Sequence, residues 1–178
     1  MACMVAMPLW VYAMRSKRFI LIILLALGLA ATASAQYPRA FGLRGGYTLE
    51  ASYQHFLGDP HFLEVDLGLD LVGQRGFRLA GTYNLVLARP SWAGGDWTWY
   101  LGPGVVAGYV YHHKDAEHAG VAVAACAQLG VEYAPFKHLG ISLDIRPMYG
   151  WHFKEKQAYM AGGIGYMLIP NLAIRFLF

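Results

Sequence analysis

His61-Phe62-Leu63-Glu64-Val65-Asp66-Leu67-Gly68-Leu69-Asp70-Leu71-Val72 sorts its residues by parity. Odd positions carry His61, Leu63, Val65, Leu67, Leu69 and Leu71, while Glu64, Asp66, Gly68 and Asp70 fall on even ones. A strand points successive side chains to opposite faces, so this run has one apolar and one acidic face. At a helical period the same residues would scatter acids among leucines. The run is a strand.

The pattern continues on both sides. From Phe77 to Ala88 the odd set is Phe77, Leu79, Gly81, Tyr83, Leu85 and Leu87, and the even set holds Arg78, Thr82 and Asn84. It recurs from Trp97 to His112, from Val121 to Tyr133 and from Ile141 to His152, where Ser142, Asp144, Arg146 and His152 alternate with Ile141, Leu143, Ile145, Tyr149 and Trp151. Turn-forming stretches separate these runs: Gly58-Asp59-Pro60, Gln74-Arg75-Gly76, Pro90 to Asp96, His113 to Gly120, Pro135 to His138 and Lys154 to Gln157. Connections this short imply antiparallel neighbours. The expected fold is all-β, an antiparallel up-and-down barrel.

A soluble barrel would turn its large apolar residues inward. Here the polar face carries paired charge and glycine (Gly102, Gly104, Gly108, Gly130), and the opposite face is almost continuously large and apolar. That distribution suits a narrow barrel with a crowded polar lumen and a lipid-facing exterior. With 57% hydrophobic and only 14% charged residues, the chain is too apolar for an ordinary soluble protein. No stretch beyond Gln36 is long and apolar enough for a helical span.

Nearer the start, Arg15, Lys17 and Arg18 precede an apolar run from Phe19 to Ala31 and then Ala33-Ser34-Ala35. This order of charged, apolar and small residues is that of a secretory signal, with cleavage expected before Gln36. Residues 1–35 are thus expected to be leader and signal peptide, with Met14 as the true start, and 36–178 the barrel. The signal holds three of the 14 basic residues and no acid, which leaves 11 basic against 11 acidic in the mature chain. The nominal charge of +3 belongs to the leader, and no basic patch points to nucleic acid. Cys3 lies upstream, so Cys126 is the only cysteine of the mature chain and is expected to be a small packed residue.

Aromatic residues give a length test. The lipid-facing set of Trp97 to His112 begins with Trp97 and Trp99 and ends with Tyr109 and Tyr111, pairs about 12 residues apart. At about 3.3 Å per residue and a tilt near 40° they stand roughly 30 Å apart in height, at the two edges of an apolar band about 25 Å tall. Trp151 is assigned to the same girdle. The chain ends Leu172, Ile174, Phe176 and Phe178 on one face, with Ala173, Arg175 and Leu177 on the other.

With that terminal strand, and with Phe41-Gly42-Leu43-Arg44-Gly45-Gly46, Trp99-Tyr100-Leu101-Gly102-Pro103-Gly104 and Ile141-Ser142-Leu143-Asp144-Ile145-Arg146-Pro147, residues 40 to 178 resemble the small eight-stranded outer-membrane barrels grouped around OmpA, OmpX and OmpW, in the form found in Bacteroidetes. The resemblance implies residence in the outer membrane of a Gram-negative bacterium. It also implies that Phe178 is read by the barrel-assembly machinery. Its motifs are fold signals and carry no reaction.

Eight strands are expected, with ten the alternative, and they can be counted in two ways. If Phe41 to Phe56 is one strand, as its unbroken alternation suggests, the last two are Ala158 to Leu168 and Leu172 to Phe178. If Gly45-Gly46-Tyr47-Thr48 is a hairpin, Ala158 to Phe178 must act as one segment, against which Pro170 argues. The resemblance leans to the hairpin, which puts the His112 to Gly120 loop outside and the Pro135 turn in the periplasm.

The main polar feature is the set of inward charges Arg44, Glu50, Glu64, Asp66, Asp70, Arg78, Glu132, Asp144 and Arg146. Six acids and three bases do not pair simply, and a structural network that plugs the lumen is expected. His112, His113 and His118 with Asp115 and Glu117 match no structural zinc spacing and read as a solvated loop, while His55, His61 and His152 suit strand ends. Ser52 and Ser142 alternate inward, and Ser91 suits a turn. No catalytic, cofactor-binding or metal-ligating residue is assigned. The expectation is a structural or surface-interaction barrel without transport, in contact with outer-membrane lipid. Its rivals are a lipid A-modifying enzyme and an accessory barrel for secretion or adhesion.

Overall fold

The computed structural model describes residues 38–71, 75–92, 94–111, 119–154, 156–159 and 168–178, with backbone only at Arg75, Tyr111, Gln157 and Tyr159. The expected signal peptide lies outside the described residues. The strands are β1 (Arg39–Gly45), β2 (Thr48–Gly58), β3 (His61–Asp70), β4 (Arg75–Ala88), β5 (Ser91–Trp92), β6 (Gly95–Tyr111), β7 (Gly120–Phe136), β8 (Leu139–Ile145), β9 (Met148–His152), β10 (Gln157–Tyr159) and β11 (Asn171–Leu177). Among the described residues there is no helix.

Antiparallel pairing runs β1–β2–β3–β4–β6–β7–β8–β11 and returns from β11 to β1, closing the sheet. β9 continues β8 along β7, and β10 pairs with β9, so β8 with β9 and β10 with β11 each fill one place in the wall. The result is an eight-stranded antiparallel barrel. β5 folds back on β6 as a short hairpin outside the ring, through Gly94, whose φ of 76° lies in the left-handed region that glycine enters without steric cost.

The structure selects the hairpin over the single long strand for residues 41–56. Gly45 pairs with Leu49 and Leu43 with Ala51 across the turn at Gly46-Tyr47. Odd residues therefore meet odd residues, and Leu43 and Leu49 stay on the same outer face. A turn that preserves parity leaves the alternation unbroken in sequence, which is why the pattern reads as one strand. The other consequence also holds, since β10 and β11 lie along the same neighbour. Tyr159 pairs with Gly150 and Asn171 with Asp144, so the described ladder is interrupted between β10 and β11. Pro170, which has no N–H to give a ladder, falls in this interruption.

Parity changes in the last segment of the wall: Ala158 of β10 pairs with Trp151, and in β11 Leu172 pairs with Leu143 and Phe176 with Leu139, so even residues of both strands point outward. The start of β1 at Arg39, the C-terminal Phe178, the turns at 59–60 and 137–138 and the end of β4 lie at one end of the barrel, called here the terminal end. The turn at 46–47 lies at the other, the loop end, where β3, β6 and β9 end and β4 and β7 begin.

Candidate functional site

Alternation aims every second side chain into a lumen that eight strands make just wide enough to fill. All nine charges assigned there from sequence are buried, none more than 9% exposed. A tenth joins them: Arg175, 1% exposed. Its parity gave a signal in the sequence, but Ala173 and Leu177 beside it disguise that face as apolar.

Three arginines from three places in the wall bind five carboxylates. Arg44 Nη1 donates to Glu50 Oε2 at 2.7 Å, and its Nε donates to Asp144 Oδ2 at 3.1 Å while Nη2 reaches Oδ1. Arg146 Nη2 donates to Glu64 Oε1 at 3.2 Å and to Asp66 Oδ2, and Nη1 lies 3.4 Å from Glu50 Oε2. Arg175 holds Glu64 Oε1 at 3.0 Å and Glu132 Oε2 at 3.1 Å, and also donates to Ser142 Oγ at 2.6 Å and Ser52 Oγ at 3.2 Å. Neutral side chains complete the mesh: Gln54 donates to Glu64 Oε2 at 2.9 Å, Gln128 to Glu64 Oε1 at 3.2 Å, and Thr82 to Gln128 Oε1 at 2.7 Å. Removing one member of such a set strands buried charge, so the set holds together as a unit.

Arg78 stands apart. It forms an ion pair with Asp70, lies 5.2 Å from the Tyr47 ring centroid and donates to the Tyr47 hydroxyl at 3.3 Å. Its strand β4 runs beside β3, which carries Glu64, Asp66 and Asp70, yet the ion pair it forms is with Asp70. One-residue steps along β3 turn alternate side chains outward, so the three acids are spread along the strand and only Asp70, nearest the loop end, meets Arg78.

The lumen is also less uniformly polar than the sequence suggests. Toward the loop end Tyr47, Ala80, Val106, Val110, Ala122, Ala124, Cys126 and Met148 form an apolar layer. Toward the terminal end Phe62 packs on Phe56 (5.0 Å between centroids) and edge-on to Tyr100 (5.3 Å), with Val86 beside them. The network of Arg44, Arg146 and Arg175 occupies the level between, while the Arg78–Asp70 pair lies among the loop-end residues against Tyr47.

Outside, the order is reversed. Leu43, Leu49, Leu67, Leu79, Leu101, Val105, Leu143 and Ile174 are exposed at mid-height, while among the described residues the exposed or half-exposed charges (Arg39, Asp59, Arg89, Asp96, Lys137, Lys154, Lys156) sit at strand ends and turns. Of the girdle residues, Trp99, Tyr109 and Trp151 are exposed, Tyr109 stacking on Phe77 at 6.1 Å. Trp97 is half-buried, packed on Tyr133 at 4.6 Å and on Trp92 at 6.2 Å. The Tyr111 side chain lies outside what is described. Phe178 is exposed, and its backbone is tied to Arg39 by two hydrogen bonds of 2.9 and 3.1 Å.

His112, His113, His118, Asp115 and Glu117 fall outside the described residues. Among the described residues no three His, Cys, Asp or Glu side chains are arranged to hold a metal ion. His55 and His61 sit at strand ends against Tyr53 and Tyr83, whereas His152 is buried at the loop end of β9. Ser91 Oγ donates to Asp96 Oδ1 at 2.8 Å within the β5 hairpin. Compared with protein-family models, curated proteins and solved structures, the chain matches none.

Proposed function

We propose that this barrel is exported, crosses the outer membrane of a Gram-negative bacterium, and serves there as a plugged structural or surface-interaction protein of the kind grouped around OmpA and OmpX. One observation carries the reading: large apolar side chains cover the outside at mid-height while ten charged side chains are shut inside. Each exposed leucine would forgo about 1.5–3 kcal/mol of burial in water, and lipid supplies that burial. Among the described residues exposed charge is confined to the two ends, where such a barrel meets headgroups. β6 ends and β7 begins at the loop end, which this reading places outside the cell, with Arg39 and Phe178 on the periplasmic side. Outer-membrane lipid is the immediate partner, and the barrel-assembly machinery reads the Phe178 strand.

The network spans the lumen, so no transport follows from this reading. Planar-bilayer recording on the refolded chain is expected to show no steady current. Reproducible single-channel steps would overturn the plugged lumen. Insertion is tested separately by Leu67→Arg, which puts a charge at mid-height on the outer face at a cost of about 2–4 kcal/mol in lipid. Heat-modifiable gel mobility is expected to show loss of the folded form in vesicles, and folding equal to the parent would refute a lipid-facing surface. A change in lipid A mass on deletion of the gene would replace the structural role with the enzyme-class rival.

A further inference from the structure

The charges at the middle of the lumen do not balance, and the hydrogen bonds show where the excess lies. Glu50 has both oxygens occupied, Oε1 by Thr48 at 2.9 Å and Oε2 by Arg44 at 2.7 Å. Glu64 has Oε1 against Arg146 and Arg175 at 3.2 and 3.0 Å, and Oε2 against Gln54 at 2.9 Å. Both oxygens of Asp144 accept from Arg44. These three acids already neutralise Arg44, Arg146 and Arg175, while Arg78 and Asp70 form their own ion pair. Glu132 sits toward the terminal end, where its side chain keeps 11% exposure beside Arg175.

Asp66 remains. Its Oδ2 meets Arg146, with Arg44 Nη1 further off at 3.8 Å, but its Oδ1 is buried without a hydrogen-bond partner. Asp66 is 0% exposed, and its neighbours across the sheet are Ser52 and Ala80, neither a cation. Glu64 on its own strand, Glu50 on β2 and Asp144 on β8 add only negative charge around the same arginines. An ionised carboxylate with a bare buried oxygen is far more costly than a neutral carboxyl group in the same place. No metal-holding group of side chains exists among the described residues to supply the missing charge.

We infer that Asp66 is a buried proton-binding site: the folded lumen holds it as the neutral carboxylic acid, with Glu50, Glu64 and Asp144 ionised around the three arginines. The inference rests on the closed barrel and its lumen, not on where the barrel resides. It separates two kinds of acid that the sequence presents as equivalents on one strand face. Glu64 is required as an anion, whereas Asp66 fills space as a neutral group that can donate a hydrogen bond.

Infrared spectroscopy of the folded chain at neutral pH, with aspartate carrying a ¹³C carboxyl label, tests this directly. The expected result is a protonated-carboxyl C=O band that shifts with the label and in D2O and is lost in Asp66→Asn. Absence of the band from the parent, or its persistence in Asp66→Asn, overturns the assignment. Denaturant unfolding gives a second arm: Asp66→Asn is expected to keep the parent's midpoint and Glu64→Gln to lower it clearly. Equal losses in the two variants would overturn the distinction, and if Asp66→Asn does not fold, Asp66→Ser takes its place, with loss of the band in that variant expected and its persistence overturning the assignment.

Discussion

The wall formed by β6 and β7 differs from the wall formed by β8, β11, β1, β2 and β3. The first consists of two 17-residue strands, the second of strands of 7 to 11 residues. On the inner face of the long wall stand Gly102, Gly104, Val106, Gly108, Ala122, Ala124, Cys126 and Gly130, with Glu132 its one buried charge. The short wall supplies Arg44, Arg175, Glu50, Glu64, Asp66, Asp70 and Asp144. The lumen of an eight-stranded barrel has a fixed width, so an arginine reaching in from one side requires the absence of a side chain on the other. Glycine and alanine on the long wall are therefore the volume counterpart of the charge network on the short one. Neither wall is polar or apolar for its own sake.

If that division is right, the largest loss comes from the crowded side. Arg146→Ala removes the guanidinium that meets Glu50, Glu64 and Asp66 and leaves the two glutamates to share Arg44 and Arg175. Uncompensated buried charge is worth about 3–5 kcal/mol. Denaturant unfolding of the folded chain in detergent is expected to show a drop of that size. A loss below about 1 kcal/mol, typical of an exposed ion pair, would show that water screens the network and that the two walls do not fill the space between them.

A smaller effect is expected from adding bulk to the bare side. A Cβ on Gly130 would lie 2.4 Å from the Tyr100 ring and hydroxyl and 2.8 Å from Asp144 Cβ, because Tyr100, paired with Gly130 across the sheet, lays its ring over that position. Gly130→Val is expected to cost about 1–3 kcal/mol as overpacking. Combining it with Tyr100→Ala should recover part of that loss, since the two side chains compete for one volume. The same unfolding midpoint reads both variants, and strict additivity would deny the proposed exchange of volume.

Parity carried most of this into the sequence. Among the ring strands β1, β2, β3, β4, β6, β7 and β8 the ladders pair odd with odd residues up to the bulges near the terminal end, so one rule, odd outward, assigns Leu43, Leu67, Leu79, Leu101 and Leu143 to the surface and nine charges to the lumen without any knowledge of the turns. The same property hides the turns themselves, which is why Gly46-Tyr47 is not visible as a break and the strand count stays open. Arg175 lay beyond the rule because β11, like β10 before it, reverses it. The partners within the network were illegible for a different reason. Which arginine meets which acid depends on stagger around the ring, and this brings Arg44 and Asp144, a hundred residues apart, into one ion pair while keeping Arg78 from Glu64.

The smallest effect should come from thinning the bare wall further. Cys126 on β7 faces the apolar layer at the loop end, is 8% exposed, and has Gly104 opposite it on β6. Cys126→Ala removes one sulfur from an apolar layer, so it should cost no more than about 1 kcal/mol, in the range of a deleted methylene. The thiol also reports whether this layer is sealed. In a chain beginning at Gln36, Cys126 is the only cysteine, and a water-soluble maleimide is expected to leave it unmodified in the folded barrel and to label it fully after unfolding. Rapid labelling of the folded form would mean that water reaches past Tyr47 and Met148 into the lumen. The long wall would then be bare because it lines a channel, and the volume exchange with the arginines would lose its support.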